Sequence, residues 1–116
     1  ETTAKNAAAT LGCNVAMELR PGYPPTLNHE SDALFARDII TDMLGADGLE
    51  TSMTPVMGAE DFSFMLEKKP GAYIWLGAGL QSENLHSPHF DFNDDLLPIG
   101  ASFWVQLAQS KLAQST

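Results

Sequence analysis

Apolar residues recur at helical spacing in two long segments of the chain. Between residues 28 and 45 they return every three to four positions, and acidic side chains occupy the first turn. Asn28 can cap the start of such a helix, and Gly45 can end it. A second stripe contains Ile99 and Phe103 and begins just after a proline. The pattern predicts one amphipathic helix in each segment.

Two shorter helices complete the helical prediction. Residues 4–10 are rich in alanine, a strong helix former. Phe62, Met65 and Leu66 share one face after the turn at residues 57–59. This spacing predicts a helix that begins at the turn.

Three other segments have the patterns of strands. Residues 12–19 alternate between apolar and polar side chains, as in a half-buried strand, and Cys13 lies on the apolar face. Residues 50–56 predict a short strand, and residues 72–76 are continuously apolar, as in a strand buried on both faces. Helices that alternate with strands indicate an α/β fold. We therefore expect Cys13 to be a buried structural thiol.

A proline-rich stretch interrupts these elements. Residues 20–27 contain three prolines, which neither a helix interior nor a central strand tolerates. The stretch predicts a linker, and we place a domain boundary there. Beyond it, Phe103 and the two tryptophans, Trp75 and Trp104, are expected in the core rather than in a substrate pocket.

Composition narrows the classes of function. The chain has 116 residues and a net charge of −9, which disfavours binding to nucleic acid or to anionic membranes. No apolar run reaches the length of a membrane span, so we expect a soluble, cytoplasmic protein. The single cysteine excludes an internal disulfide and a multi-cysteine zinc site. Because the chain starts inside a predicted helix without a cap, we expect it to be a fragment.

The polar loop at residues 84–94 holds the candidate chemistry. It contains two histidines, His86 and His89, among acidic and amide side chains, and it follows a predicted strand. Such residues could bind a metal, but they are also ordinary surface composition. Asp91 and Asp94 could orient a ligand, although an acidic pair before a helix is usually a cap. Residue types alone leave both interpretations open.

Three motifs identify the family that the chain resembles. They are YPPTLN at residues 23–28, MGAEDFS at residues 57–63 and LHSPHFDFND at residues 85–94. Together they resemble the aminoacylase and hippurate hydrolase family of zinc-peptidase relatives, close to auxin-conjugate hydrolases. The resemblance covers about residues 15–108. It implies that residues 21–116 are the C-terminal part of an αβα metal-binding domain, and that residues 1–20 end an inserted dimerisation domain.

The resemblance also implies a metal ligand. In the family, the histidine at the position of His86 is the last protein ligand of a two-metal centre, which suits zinc, manganese or nickel. His89 has no matching role, and His29 is expected to be solvated. No other ligand motif of the family occurs in the chain, so we expect this chain alone not to bind both ions fully.

The turn before the predicted second helix is a candidate anion site. Glycine allows close approach to the backbone, and helix-start N–H groups favour an anion such as a substrate carboxylate. The resemblance places substrate contacts on the backbone of Gly58 and Ala59. Glu60 and Asp61 offer a competing interpretation, since they are negative charges at the same helix start. Arg20 is a second candidate to bind the carboxylate.

The implied reaction is hydrolysis of the amide bond of N-acyl amino acids by a metal-activated water. No residue of this chain matches the family's general base, so we expect it to be inactive alone. The implied partners are a small N-acyl amino acid and a second copy of the parent enzyme. A dipeptidase or carboxypeptidase relative is an alternative, and so is a non-catalytic binding or assembly module that retains the fold.

Overall fold

The computed structural model describes residues 1–114, and the regular structure in them is helical. The elements are α1 (Thr2–Thr10), α2 (Glu30–Leu44), a 3₁₀ turn (Ala46–Gly48), α3 (Phe62–Leu66) and α4 (Leu96–Ala113). Each predicted helix is confirmed to within a few residues. None of the described helices is both long and apolar enough to cross a membrane.

Helices α2 and α4 pack against each other and form the core. Ala36 and Ile39 of α2 and Phe103 of α4 are buried together, as their helical spacing predicts. The partly buried hydrophobic residues around them are Phe35, Ile40, Met43 and Leu107. Gly45 ends α2 with a φ of 76°, a left-handed conformation that glycine adopts without strain.

The predicted strands do not form among residues 1–114. Residues 12–19, 50–56 and 72–76 are non-helical, and none of them is paired in a sheet. The α/β arrangement is therefore not confirmed. A helix satisfies its hydrogen bonds locally, whereas a strand requires a partner strand, and no backbone hydrogen bond joins two of these segments among residues 1–114.

Two residues before α2 take the place of a partner strand for residues 71–73. The Asn28 side chain donates to the Tyr73 carbonyl oxygen at 2.9 Å and accepts from the Tyr73 N–H at 2.7 Å. The His29 N–H donates to the Gly71 carbonyl oxygen at 3.0 Å, and His29 Nδ1 accepts from the Gly71 N–H at 3.3 Å. Asn28 does not cap α2 by its side chain, and His29 is not simply solvated, so both expectations were wrong.

Several residues expected in the core are exposed. Cys13 is exposed, because the apolar face of residues 12–19 has nothing to pack against. Trp75 and Trp104 are 59% and 64% exposed. The radius of gyration is 20.8 Å, against about 13 Å for a compact domain of this length. The described residues therefore bury only a small part of their apolar surface.

Candidate functional site

The loop around His86 consists of two successive turns. The Ser87 N–H donates to the Asn84 carbonyl oxygen at 3.0 Å, and the Phe90 N–H donates to the Ser87 carbonyl oxygen at 3.1 Å. His86 is the third residue of the first turn, and its side chain is exposed. The histidine predicted as a metal ligand thus lies on an accessible loop.

His86 has an unusual backbone conformation. Its φ is 68°, and it is the one non-glycine residue with positive φ among residues 1–114. The left-handed region costs an L-residue about 1–2 kcal/mol, and turns normally place glycine or asparagine there. Backbone strain of this kind concentrates at functional sites, so the conformation motivates a functional hypothesis for His86.

Among the described residues, His86 does not belong to a cluster of side chains that could hold a metal ion. Within the described part of the chain, no group of three or more His, Cys, Asp or Glu side chains is arranged to hold a metal ion. The backbone N–H of His89 donates to Ser87 Oγ at 3.2 Å, and its side chain is exposed. The Nδ1 atom of His29 accepts from Gly71, in a different part of the molecule. The loop contributes one imidazole donor, which fits a metal site only together with donors from elsewhere.

Asn93 fixes the end of the polar loop. Its Nδ2 donates to the Ala78 carbonyl oxygen at 3.3 Å, and its Oδ1 accepts from the Asp95 N–H at 3.1 Å. The Asn93 side chain therefore links Ala78, which precedes the polar loop, to Asp95, which directly precedes α4. Asp91 and Asp94 were expected either to cap the helix or to orient a ligand, and the amide of Asn93 between them makes the capping contact instead.

The Gly58–Ala59 turn is open. Neither backbone N–H donates a hydrogen bond to an acceptor among residues 1–114. A Cβ atom at Gly58 would meet only Val56 Cγ2, at 3.9 Å. The turn therefore has free donors and room for a ligand against its backbone.

Glu60 occupies the start of α3. Its Oε1 accepts from the Phe62 N–H at 3.1 Å, and its Oε2 accepts from the Tyr73 hydroxyl at 2.9 Å. These bonds, the Phe62 N–H foremost, lower the pKa of Glu60 below its ordinary value of 4.5. The hydrogen bond to Glu60 raises the pKa of Tyr73 above 10.0. Tyr73 was not predicted as a site residue because it lies in a continuous apolar run.

Arg20 already has an anionic partner. Its Nε and Nη2 donate to the two carboxylate oxygens of Glu18 at 2.7 and 2.9 Å. This side-chain hydrogen bonding raises the pKa of Arg20. The Arg20 side chain is 82% exposed, so water competes for the pair. A substrate carboxylate would have to displace Glu18.

In the described part of the chain, the predicted site residues are not bonded to one another. No hydrogen bond, ion pair or ring contact among residues 1–114 joins Arg20, the Gly58–Ala59 turn and His86. The structure instead connects the α3 start, residues 71–73 and the residues before α2.

Comparison with known proteins gives the family context of this arrangement. A family model described as peptidase family M20/M25/M40 matches residues 2–110. The chain is 36% identical over 112 residues to "IAA-amino acid hydrolase ILR1-like 5" of Arabidopsis thaliana, which covers 90% of this chain and 26% of that protein.

Two bacterial proteins are similar over shorter stretches of the chain. "Hippurate hydrolase" of Campylobacter jejuni is 36% identical over 88 residues, which is 73% of this chain and 22% of that protein. "N-acetyldiaminopimelate deacetylase" of Streptococcus suis is 34% identical over 97 residues, covering 82% and 25%. The chain thus spans about a quarter of the length of the curated relatives it matches. No solved structure matches it.

Proposed function

The chain belongs to peptidase family M20/M25/M40, and we propose that it is part of a metal-dependent amidohydrolase that cleaves the amide bond of N-acyl amino acids. The names of the relatives support this, since an IAA-amino acid conjugate, hippurate and N-acetyldiaminopimelate are all acylated amino acids. The hydrolysed bond is the same in each. The amino-acid side chain and the acyl group differ among these substrates, so the proposed substrate class covers all of them.

The observation that carries the proposal is the left-handed conformation of His86 within the family motif. Strained backbone conformations cluster at functional sites, where the strain can be part of the role of the side chain. We propose that His86 binds one of two divalent ions through a neutral ring nitrogen, which suits zinc, manganese or nickel. The remaining ligands and the general base are expected in other parts of the parent protein. When bound, the ions polarise the amide carbonyl and stabilise the negative charge that develops on it.

The residues of this chain also orient the substrate in the proposal. The free N–H groups of Gly58 and Ala59 would donate to the α-carboxylate, and the open space at Gly58 supports this assignment. Arg20 could bind the same carboxylate by its planar guanidinium, in exchange for Glu18. The ion pair with Glu18 makes Arg20 the weaker candidate.

The proposed arrangement of domains follows the resemblance. Residues 1–20 would end an inserted domain through which two copies of the parent pair, and residues 21–116 would complete an αβα metal domain. A cytoplasmic location stays a prediction. A dipeptidase or carboxypeptidase relative is the alternative enzyme, and a non-catalytic module is the alternative of a different class.

The test is hydrolysis of hippurate by the full-length parent protein with added zinc or manganese. Replacement of His86 by Ala should lower kcat by a large factor, about 100-fold or more, because a ligand of the metals is lost. His89→Ala, two positions away in the same loop, is the matched control and should retain most of the activity. A wild-type protein inactive on hippurate and on N-acetyl amino acids alike, or equal losses for both variants, would contradict the proposal. The 116-residue chain alone should show no turnover above background.

A further inference from the structure

We propose that Glu60 and Tyr73 are positioning residues that hold the Gly58–Ala59 turn in place to receive the substrate carboxylate. The inference rests on the proposed function and extends it to two side chains outside the residues already assigned. Their hydrogen bond joins the start of α3 to residues 71–76, which are separated from it by the whole of α3.

The carboxylate of Glu60 connects two parts of the chain. Oε1 accepts from the Phe62 N–H at 3.1 Å, within the start of α3, and Oε2 accepts from the Tyr73 hydroxyl at 2.9 Å. The Glu60 carbonyl oxygen also accepts from Ser63 Oγ at 2.6 Å, and Ser63 is fully buried. Glu60 is therefore held at both its backbone and its side chain, directly after the turn.

Tyr73 is itself well anchored. Its backbone makes both hydrogen bonds with the Asn28 side chain. Its ring contacts Phe62 at a centroid distance of 5.6 Å and Trp75 at 5.9 Å in an edge-to-face arrangement. Such contacts restrict the ring and with it the region that the Tyr73 hydroxyl oxygen can occupy. Through Tyr73, the position of Glu60, and with it the turn, is tied to Asn28, two residues before α2.

The negative charge of Glu60 is a second reason for its carboxylate to be held by hydrogen bonds. An unpaired carboxylate two residues from Gly58 could rotate toward the turn and compete with the substrate for its N–H groups. Both oxygens of Glu60 are occupied by other donors, which leaves the N–H groups of Gly58 and Ala59 free. The pair therefore combines positioning with removal of an internal competitor.

The pair itself can be tested in this chain. Tyr23 and Tyr73 are its two tyrosines, so Tyr23→Phe leaves one phenol to follow by absorbance at 295 nm. Glu60→Gln should move the titration of Tyr73 down toward the ordinary value of 10.0. Asp61→Asn is the matched control, since Asp61 is the smallest contributor to the raised pKa of Tyr73, and should have less effect. An unchanged titration in the Glu60→Gln protein would overturn the proposal.

The positioning role is tested in the full-length parent with two substrates. Glu60→Gln and Tyr73→Phe should each raise KM for hippurate about tenfold and leave kcat within about twofold. Hippuramide, the same molecule with a neutral amide in place of the carboxylate, should show little change in KM. Equal losses on both substrates would mean a merely structural role and overturn the inference. If the wild type hydrolyses hippurate and the variants match it, only this inference fails, whereas a wild type inactive on hippurate and on N-acetyl amino acids alike would refute the proposed function.

Discussion

The side-chain amide of Asn28 makes both of the hydrogen bonds that a neighbouring strand would offer to Tyr73. Nδ2 donates to the carbonyl oxygen at 2.9 Å, and Oδ1 accepts from the N–H at 2.7 Å. One residue on, His29 makes the equivalent pair of bonds with Gly71. Residues 71–73 are therefore attached to the start of α2 along one edge, and this attachment places Tyr73 next to Glu60.

Replacing Asn28 should release this edge. Asn28→Leu removes the donor and the acceptor while keeping the volume, so the Tyr73 amide should lose roughly 1 kcal/mol of protection, about a fivefold faster hydrogen exchange. Asn28→Asp retains an acceptor and should leave much of that protection. Asn14→Leu, at an exposed asparagine of the N-terminal region, is the control and should not change exchange at Tyr73. Equal exchange in all three variants would contradict the attachment.

The bond between Glu60 and Tyr73 should persist over a defined pH window. The pKa of Glu60 is lowered below 4.5, so its contribution to stability is present above that value and is lost as pH falls through the lowered pKa. The pKa of Tyr73 is raised above 10.0, so its contribution is present below that value and is lost as pH rises through the raised pKa. Near-ultraviolet circular dichroism of the cluster with Phe62 and Trp75 should follow both limits. Glu60→Gln should flatten the acid limb, and an acid limb identical to that of the wild type would contradict the assignment.

The helices could be predicted because helical structure follows from the local spacing of apolar residues. Helix α2 was expected between Asn28 and Gly45 and spans Glu30–Leu44, and the stripe containing Phe103 lies in α4. Helical hydrogen bonds connect residues four apart, so both partners of each bond lie within the segment whose pattern predicts the helix. Strand pairing and the burial of Trp75 depend on segments distant in sequence, and residues 1–114 do not provide them.

His86→Gly should stabilise the turn while removing the proposed metal ligand. Glycine adopts a φ of 68° without strain, so the Ser87 amide, which donates to Asn84, should exchange more slowly than in the wild type. The stability of the turn should increase by up to about 1 kcal/mol. His86→Ala keeps the Cβ atom and should not slow the exchange of the Ser87 amide. If glycine gave no gain over alanine, the left-handed conformation would not be a source of strain.

Cys13 should react rapidly with thiol reagents in this chain. Its side chain is exposed and makes only a long contact, 3.6 Å from Sγ to the Leu11 carbonyl oxygen. Labelling of the native protein should therefore approach the rate in denaturant, measured on the same sample. Protection by a large factor would show that residues 12–19 are covered in solution, as their alternating pattern predicted.

The candidate site was predicted less completely than the helices. The motifs located His86 and the Gly58–Ala59 turn, because their residue types are distinctive and local. They did not indicate the hydrogen bonds between Tyr73 and Asn28. A tyrosine in an apolar run and an asparagine before a helix are both ordinary residues, so neither marks a contact. Contacts between residues 45 positions apart leave no periodic signal in one sequence.

The separation of these partners also affects the order of folding. Closing a loop of 45 residues costs roughly 3 kcal/mol in chain entropy, more than two exposed hydrogen bonds return. The contact of Asn28 with Tyr73 should therefore form late, after the pairing of α2 with α4 has restricted the intervening chain. Substitutions at Asn28 should accordingly accelerate unfolding and leave the refolding rate nearly unchanged.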